Sequence, residues 1–264
     1  QARRTRDFWA GSFLLSYLTA YAMKAVQDQD GRIVMPDVSS DEMLKRVCNG
    51  TGDGPKIGSL PNCFEAAIPA GFDGAKVADA VRVEWKRIAD EVWEHDKLKD
   101  AGANKTMWDD QIKSFWEIAW VIADPKVEAA LAMRKNWRNH YPPEQAGDKC
   151  TMMGEWQELS GVATPGDQRQ KDFWRELRDG VKSELELRDG ERLCAIAYVK
   201  RRFVHVWGAL NPDWKLPTGV PSTSYMAAVH WIERLILTNP EAKAMQDLCN
   251  EARGAKALGE KLTR

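Results

Sequence analysis

Apolar positions recur at helical spacing from the first residues. In residues 1–26 (QARRTRDFWAGSFLLSYLTAYAMKAV), Phe8, Leu15, Leu18 and Ala22 fall near one face, while Arg3, Arg4, Arg6 and Asp7 occupy the first turns. The pattern predicts a helix over this stretch. No start methionine and no N-cap residue stand before it, so the chain reads as a piece of a longer protein. After a turn at 28–31, residues 32–38 (RIVMPDV) alternate as a short strand. A short helix is expected over 41–48 and a Gly-rich loop over 49–55. That loop lacks the strand-before, helix-after setting of a phosphate loop. Residues 57–68 are expected to hold the next strand, with Pro61 and Pro69 at its ends or on an edge. Residues 74–99 form an amphipathic pattern with Val77, Val81, Trp85, Ile88 and Val92 on one side. A helix over 106–113 then gives way to Phe115–Ile122 (FWEIAWVI), whose alternation and aromatic, β-branched content predict strand.

Helix, strand, strand, helix, strand is the order of a ferredoxin-like βαββαβ unit without its first strand. From residue 124 the character changes to helix and loop. Asp124-Pro125 opens a helix to about His140, and helices follow over 167–187 and 191–206. A Pro-rich loop covers 211–222, Ser222 caps a helix to 237, and a last helix covers 240–262. The expected class is α+β, with a ferredoxin-like α/β domain over 1–123 and a helical domain over 124–264.

Composition narrows what such a chain does. Its 264 residues, 44% hydrophobic and 29% charged, suit one large or two ordinary globular domains. No apolar run approaches 18 residues, so a cytoplasmic protein without a membrane partner is expected. A net charge of −1 gives no global field toward nucleic acid. Contacts of that kind would need local patches, of which Lys200, Arg201 and Arg202 are the RNA-facing candidate; 134–138 (RKNWR) is another. Five cysteines point to reduced thiols rather than a disulfide framework, and most of the 12 tryptophans sit at helical spacing with aliphatics, as core residues do.

Two features could carry chemistry. Arg3, Arg4 and Arg6 are permanently charged forks suited to phosphate oxygens, and the small pair Gly11-Ser12 would let a ligand approach the helix backbone. The alternative is a solvated basic turn with Arg3 and Asp7 as an i,i+4 pair. The four histidines are scattered and none sits in an HExxH motif, and no Gly-x-Ser-x-Gly elbow occurs. Asp109-Asp110 suits a first helical turn better than a metal site.

Six segments, in order, carry a resemblance: RRTRDFWAGSFLLSYL, IGSLPNCFEAAIP, QIKSFWEIAWVI, DKCTMMGEWQELSG, ERLCAIAYVKRRF and VPSTSYMAAVHW. Together they resemble the large subunit of type III-B CRISPR–Cas (Cmr) effector complexes. The resemblance implies that 1–123 is the first polymerase-like palm, with its first strand missing. The intact parent would bind ATP with Mg²⁺, other Cmr subunits, CRISPR RNA and target RNA. It would make cyclic oligoadenylate when target RNA binds, and could cut single-stranded DNA. This segment carries neither the family's HD nuclease domain nor its Gly-Gly-Asp-Asp metal motif, so it is expected to hold no catalytic residue. It would supply one wall of the nucleotide site through Gly11 and Ser12, with Arg3, Arg4 and Arg6 near the phosphates or near nucleic acid. Cys150 and Cys194 stand where the family has two Cys-x-x-Cys pairs around zinc. Met153 and Ala197 replace the second cysteines, so a remnant knuckle without zinc is expected, its shape held by packing around Met153, Trp156 and Ala197. A non-catalytic structural adaptor that binds no nucleotide is the competing reading.

Overall fold

A computed structural model describes residues 4–124, 126–127, 130–135, 141, 143–181 and 187–238. Arg3, the last expected helix at 240–262 and the ends of two others lie outside these residues. Helix α1 (Thr5–Gln27) opens on Arg4 without a side-chain cap bond. The face it buries is only in part the one expected: Leu18 and Ala22 are buried, but Ala10, Phe13, Leu14 and Tyr17 also face the core, while Phe8 is 70% exposed. Aromatic partners decide this: Phe13 stacks with Trp9 and Phe203 at 5.6 and 5.9 Å and meets Trp207 edge-on at 5.2 Å.

Strand β1 (Arg32–Met35) and helix α2 (Glu42–Asn49) follow. Asp41 caps α2 by accepting from the Leu44 amide at 2.8 Å, and Gly50 ends it in the left-handed region at φ 75°. Strand β2 (Glu65–Ala67) pairs antiparallel with β1, with Arg32 opposite Ala67, Ile33 opposite Ala66 and a bulge before Met35 opposite Glu65. Only the end of the expected 57–68 strand forms.

Helix α3 (Gly74–His95) buries Val81, Trp85, Ile88 and Val92, as its periodicity predicts. Helix α4 (Lys105–Ser114) is capped by Asn104, whose side chain accepts from the Met107 amide at 3.0 Å. Replacing Asn104 with Ala should cost about 1 kcal/mol, and Asn104→Asp should restore most of it. Urea unfolding of the two variants checks this; equal losses would place the effect elsewhere than the cap.

Phe115–Ile122 is not a strand; it runs as irregular chain beside α3. Phe115 and Trp116 pack on Trp85 at 6.1 and 5.7 Å. Trp120 lies on Gly74, where a Cβ would fall 2.6 Å from its ring. A strand pattern needs a neighbouring strand to pair with, and this run's neighbour is a helix. Among the described residues the sheet therefore has two strands, and the ferredoxin-like order is not completed. The mixed α+β class holds in a helix-rich form.

The second half contributes α5 (Ala130–Lys135), α6 (Gln168–Val181), α7 (Ala195–Leu210) and α8 (Thr223–Thr238). Ser222 caps α8 as expected, its hydroxyl accepting from the Tyr225 amide at 3.1 Å. Helix α7 packs against α1 and α3, and one buried cluster runs from Ala10 to Trp214. Residue 124 therefore does not divide two cores. No described helix is long and apolar enough to cross a membrane.

Candidate functional site

Three of the segments that carry the resemblance meet at one end of α1. The loop of the second lies along the helix: Trp9 Nε1 donates to the Lys56 carbonyl at 2.7 Å, and Ser16 Oγ donates to the Leu60 carbonyl at 2.8 Å while accepting from the Leu60 amide at 3.0 Å. Gly58 is pressed against the Ser12 carbonyl, where a Cβ would lie at 2.6 Å. The Ser12 residue itself stays exposed. From the fifth segment, α7 sends Lys200 across Gly11. A Cβ on Gly11 would sit 3.2 Å from Lys200 Nζ, so the room left by this glycine is already lined by an ammonium. Burial, followed by the charge of Arg201, lowers the pKa of Lys200. The nucleotide candidates Gly11 and Ser12 and the RNA candidate Lys200 thus belong to one place.

The other basic candidates are engaged inside the fold. Arg201, fully buried, grips Asp7 with Nε at 2.5 Å and Nη2 at 3.0 Å, and reaches Glu191 at 3.1 and 3.2 Å. Arg4 reaches the same Glu191 at 2.7 Å. Burial works against the Arg201 charge, but its bonds to the two carboxylates prevail and raise its pKa. Burial pushes Glu191 up, and Arg201 followed by the Arg188 amide and Arg4 pulls it below the ordinary carboxylate range. Arg202 grips Asp96 at 2.6 and 2.8 Å. Arg6 donates to the Thr218 carbonyl. Arg201 and Arg202 are therefore buried ion-pair partners rather than a surface patch, and Asp7 pairs with Arg201 across the fold.

The Asp96 cluster includes a pair that the sequence reading passed over. His95 and Asp96 are neighbours in the chain, with His95 Nδ1 2.7 Å from Asp96 Oδ1. Tyr198 donates to the other oxygen at 2.8 Å. Burial opposes the Asp96 charge, but Arg202 and these donors hold its pKa low. With both oxygens taken, Asp96 closes the joint between α3 and α7, and no group of three or more His, Cys, Asp or Glu able to hold a metal gathers among the described residues.

Cys150 and Cys194 come together on facing segments, both buried. Thr151 N and Oγ1 donate to the Arg192 carbonyl at 2.8 and 3.0 Å, and Leu159 N donates to the Leu193 carbonyl at 3.0 Å. Cys150 Sγ accepts from the Met152 and Met153 amides at 3.4 and 3.3 Å. Cys194 precedes α7 as its N-cap residue, without a side-chain cap hydrogen bond. The neighbouring Cys194 thiol and the two amides lower the Cys150 pKa to about 6, while burial raises that of Cys194. Met153, Trp156 and Ala197 are buried around the pair. His205 is exposed on α7, and His140 lies outside the described residues.

Residues 1–94 match the family described as CRISPR-associated protein Cmr2, N-terminal. The chain is also similar to a solved chain of a type III-B Cmr-beta complex in its apo state, determined by cryo-EM. That likeness has 15% identity and a TM-score of 0.49, and it covers 93% of this chain and 36% of that one. This chain therefore spans about a third of that relative's length. No curated protein matches it.

Proposed function

From the Cmr2 N-terminal family to which residues 1–94 belong, we propose that this chain is part of the large subunit of an RNA-guided type III-B CRISPR effector complex. The parent would work with other Cmr subunits on CRISPR RNA and target RNA, and would convert ATP with Mg²⁺ into cyclic oligoadenylate. This segment would form one wall of the nucleotide site. The observation that carries the reading is the meeting of Gly11-Ser12, the Gly58 loop and Lys200. Lys200 offers an ammonium to phosphate oxygens, and Ser12, the residue after Gly11, is exposed. Arg6 stands at the same end of α1, tied to the Thr218 carbonyl. Magnesium would neutralise the phosphates of the bound nucleotide, and the carboxylates that hold it would come from elsewhere in the parent.

The adaptor reading draws on a different observation: Arg4, Arg201 and Arg202 all hold carboxylates of this chain, and Lys200 lines the room at Gly11. Ser12→Trp in the assembled complex separates the two. The nucleotide wall predicts at least a tenfold loss of cyclic oligoadenylate synthesis, with subunit composition and target-RNA binding unchanged. Synthesis at the wild-type rate would leave the adaptor.

A further inference from the structure

We propose that Cys150 and Cys194 form a reversible dithiol–disulfide pair, closed by a hydroperoxide, that locks the 148–159 loop onto the first turn of α7.

The two sulfurs are placed by backbone rather than by flexible side chains. Thr151 and Arg192 exchange hydrogen bonds in both directions, the Arg192 amide donating to Thr151 Oγ1 at 3.2 Å. A second backbone bond joins Leu159 to Leu193. The cysteines flank these two links, Cys150 just before Thr151 and Cys194 just after Leu193, and both are buried in the same core. The Met152 and Met153 amides point at Cys150 Sγ, which favours its thiolate as the attacking sulfur. Cys194 is then the adjacent resolving thiol. A hydroperoxide as small as H₂O₂ suits a pair only 3% and 0% exposed.

The step balances as follows. Cys150 thiolate attacks one peroxide oxygen, the O–O bond breaks, and the departing hydroxide takes a proton to become water. Cys194 sulfur then attacks the Cys150 sulfenic acid, losing its proton as the S–O bond breaks and the second water leaves. The two thiols lose two electrons, and the peroxide gains them. Exposed Cys48 and Cys63 have no such neighbour among the described residues and would stop at other adducts.

The test treats the full-length protein with limiting H₂O₂ under native conditions, alkylates the remaining thiols and maps peptides by mass spectrometry. A dithiothreitol-sensitive peptide joining Cys150 to Cys194 is expected, with a rise in Tm of the oxidised protein, since the link constrains the unfolded chain. Cys194→Ala should abolish the link and the rise together. The wild-type map decides the matter even if that variant folds poorly. Alkylation of Cys150 and Cys194 as free thiols after unfolding, while Cys48 and Cys63 are oxidised, would overturn the proposal. So would links that join either residue to another cysteine.

Discussion

Arg201→Met should cost about 3–5 kcal/mol and leave a protein that gains stability in mild acid. The substitution keeps the length and the apolar stem of the side chain but leaves Asp7 and Glu191 buried without the guanidinium that both use. In the native protein Glu191 titrates below its ordinary value, so its contribution is fully present above the unfolded carboxyl pKa and is lost as pH falls through the folded one. Between pH 7 and 5.5 the native protein should therefore show no loss from this source. In the variant Glu191 keeps Arg4 and the Arg188 amide, whereas burial acts on Asp7 without Arg201 and should lift that carboxyl above its unfolded value. A carboxyl raised in this way destabilises the fold at pH 7 and does so less as it takes up a proton. The variant should gain stability on going from pH 7 to 5.5. Urea unfolding at the two pH values measures it, and Asp7→Asn with Arg201→Met should recover part of the loss. A variant that loses less than about 1 kcal/mol, with no gain in acid, would mean that the α1–α7 joint does not rest on this pair.

The ion-pair core also marks where the sequence stopped being legible. Lys200-Arg201-Arg202 reads as a basic run, and a run of that kind is ordinarily solvated. What buries it is Asp7, 194 positions away, and Asp96, 106 away, and local spacing carries no trace of partners at that distance. The amphipathic face of α3 was legible because the helix sets its own period, and the cap at Ser222 was legible because a cap is a contact three residues long. Phe115–Ile122 failed for the opposite reason. Its alternation fits a pleated surface, but the partner surface is a helix, and β-propensity reports the fit to neighbours rather than the chain alone. At the candidate site, the smallness of Gly11 was legible and its reason was not. The space that suggested a ligand is lined by Lys200. The two thiols left by a degenerate knuckle could be named from the sequence, but what brings their segments together is the Thr151–Arg192 link, which joins stretches about 40 residues apart.

Trp214 connects the core to the loop that backs Ser12, and its removal should be felt at both ends. The side chain is 1% exposed and packs edge-on against Trp207, Phe13 and Tyr17 at 5.0, 5.8 and 5.7 Å. Its ring lies so close to Gly54 that a Cβ there would fall at 2.4 Å, Nε1 donates to the Pro55 carbonyl at 3.0 Å, and Arg46 covers the ring at 5.2 Å. The same loop runs on to Lys56, Gly58 and Leu60, which dock on Trp9, Ser12 and Ser16. Trp214→Ala opens a cavity among aromatic rings that cannot collapse into it, a loss of about 3–5 kcal/mol and roughly 10 °C in Tm. Trp214→Phe keeps most of the packing and gives up the bond to Pro55, a loss of about 1–2 kcal/mol. The larger effect is local: without the indole, residues 53–60 are left with their contacts to α1 at Trp9, Ser12 and Ser16, so amide exchange there should quicken more than the global loss requires. Hydrogen exchange of the Leu60 amide, which donates to Ser16 Oγ, reads this directly. A stability loss without faster exchange in that loop would show that Trp214 serves the core alone, and that the wall behind Ser12 is held from the α1 side.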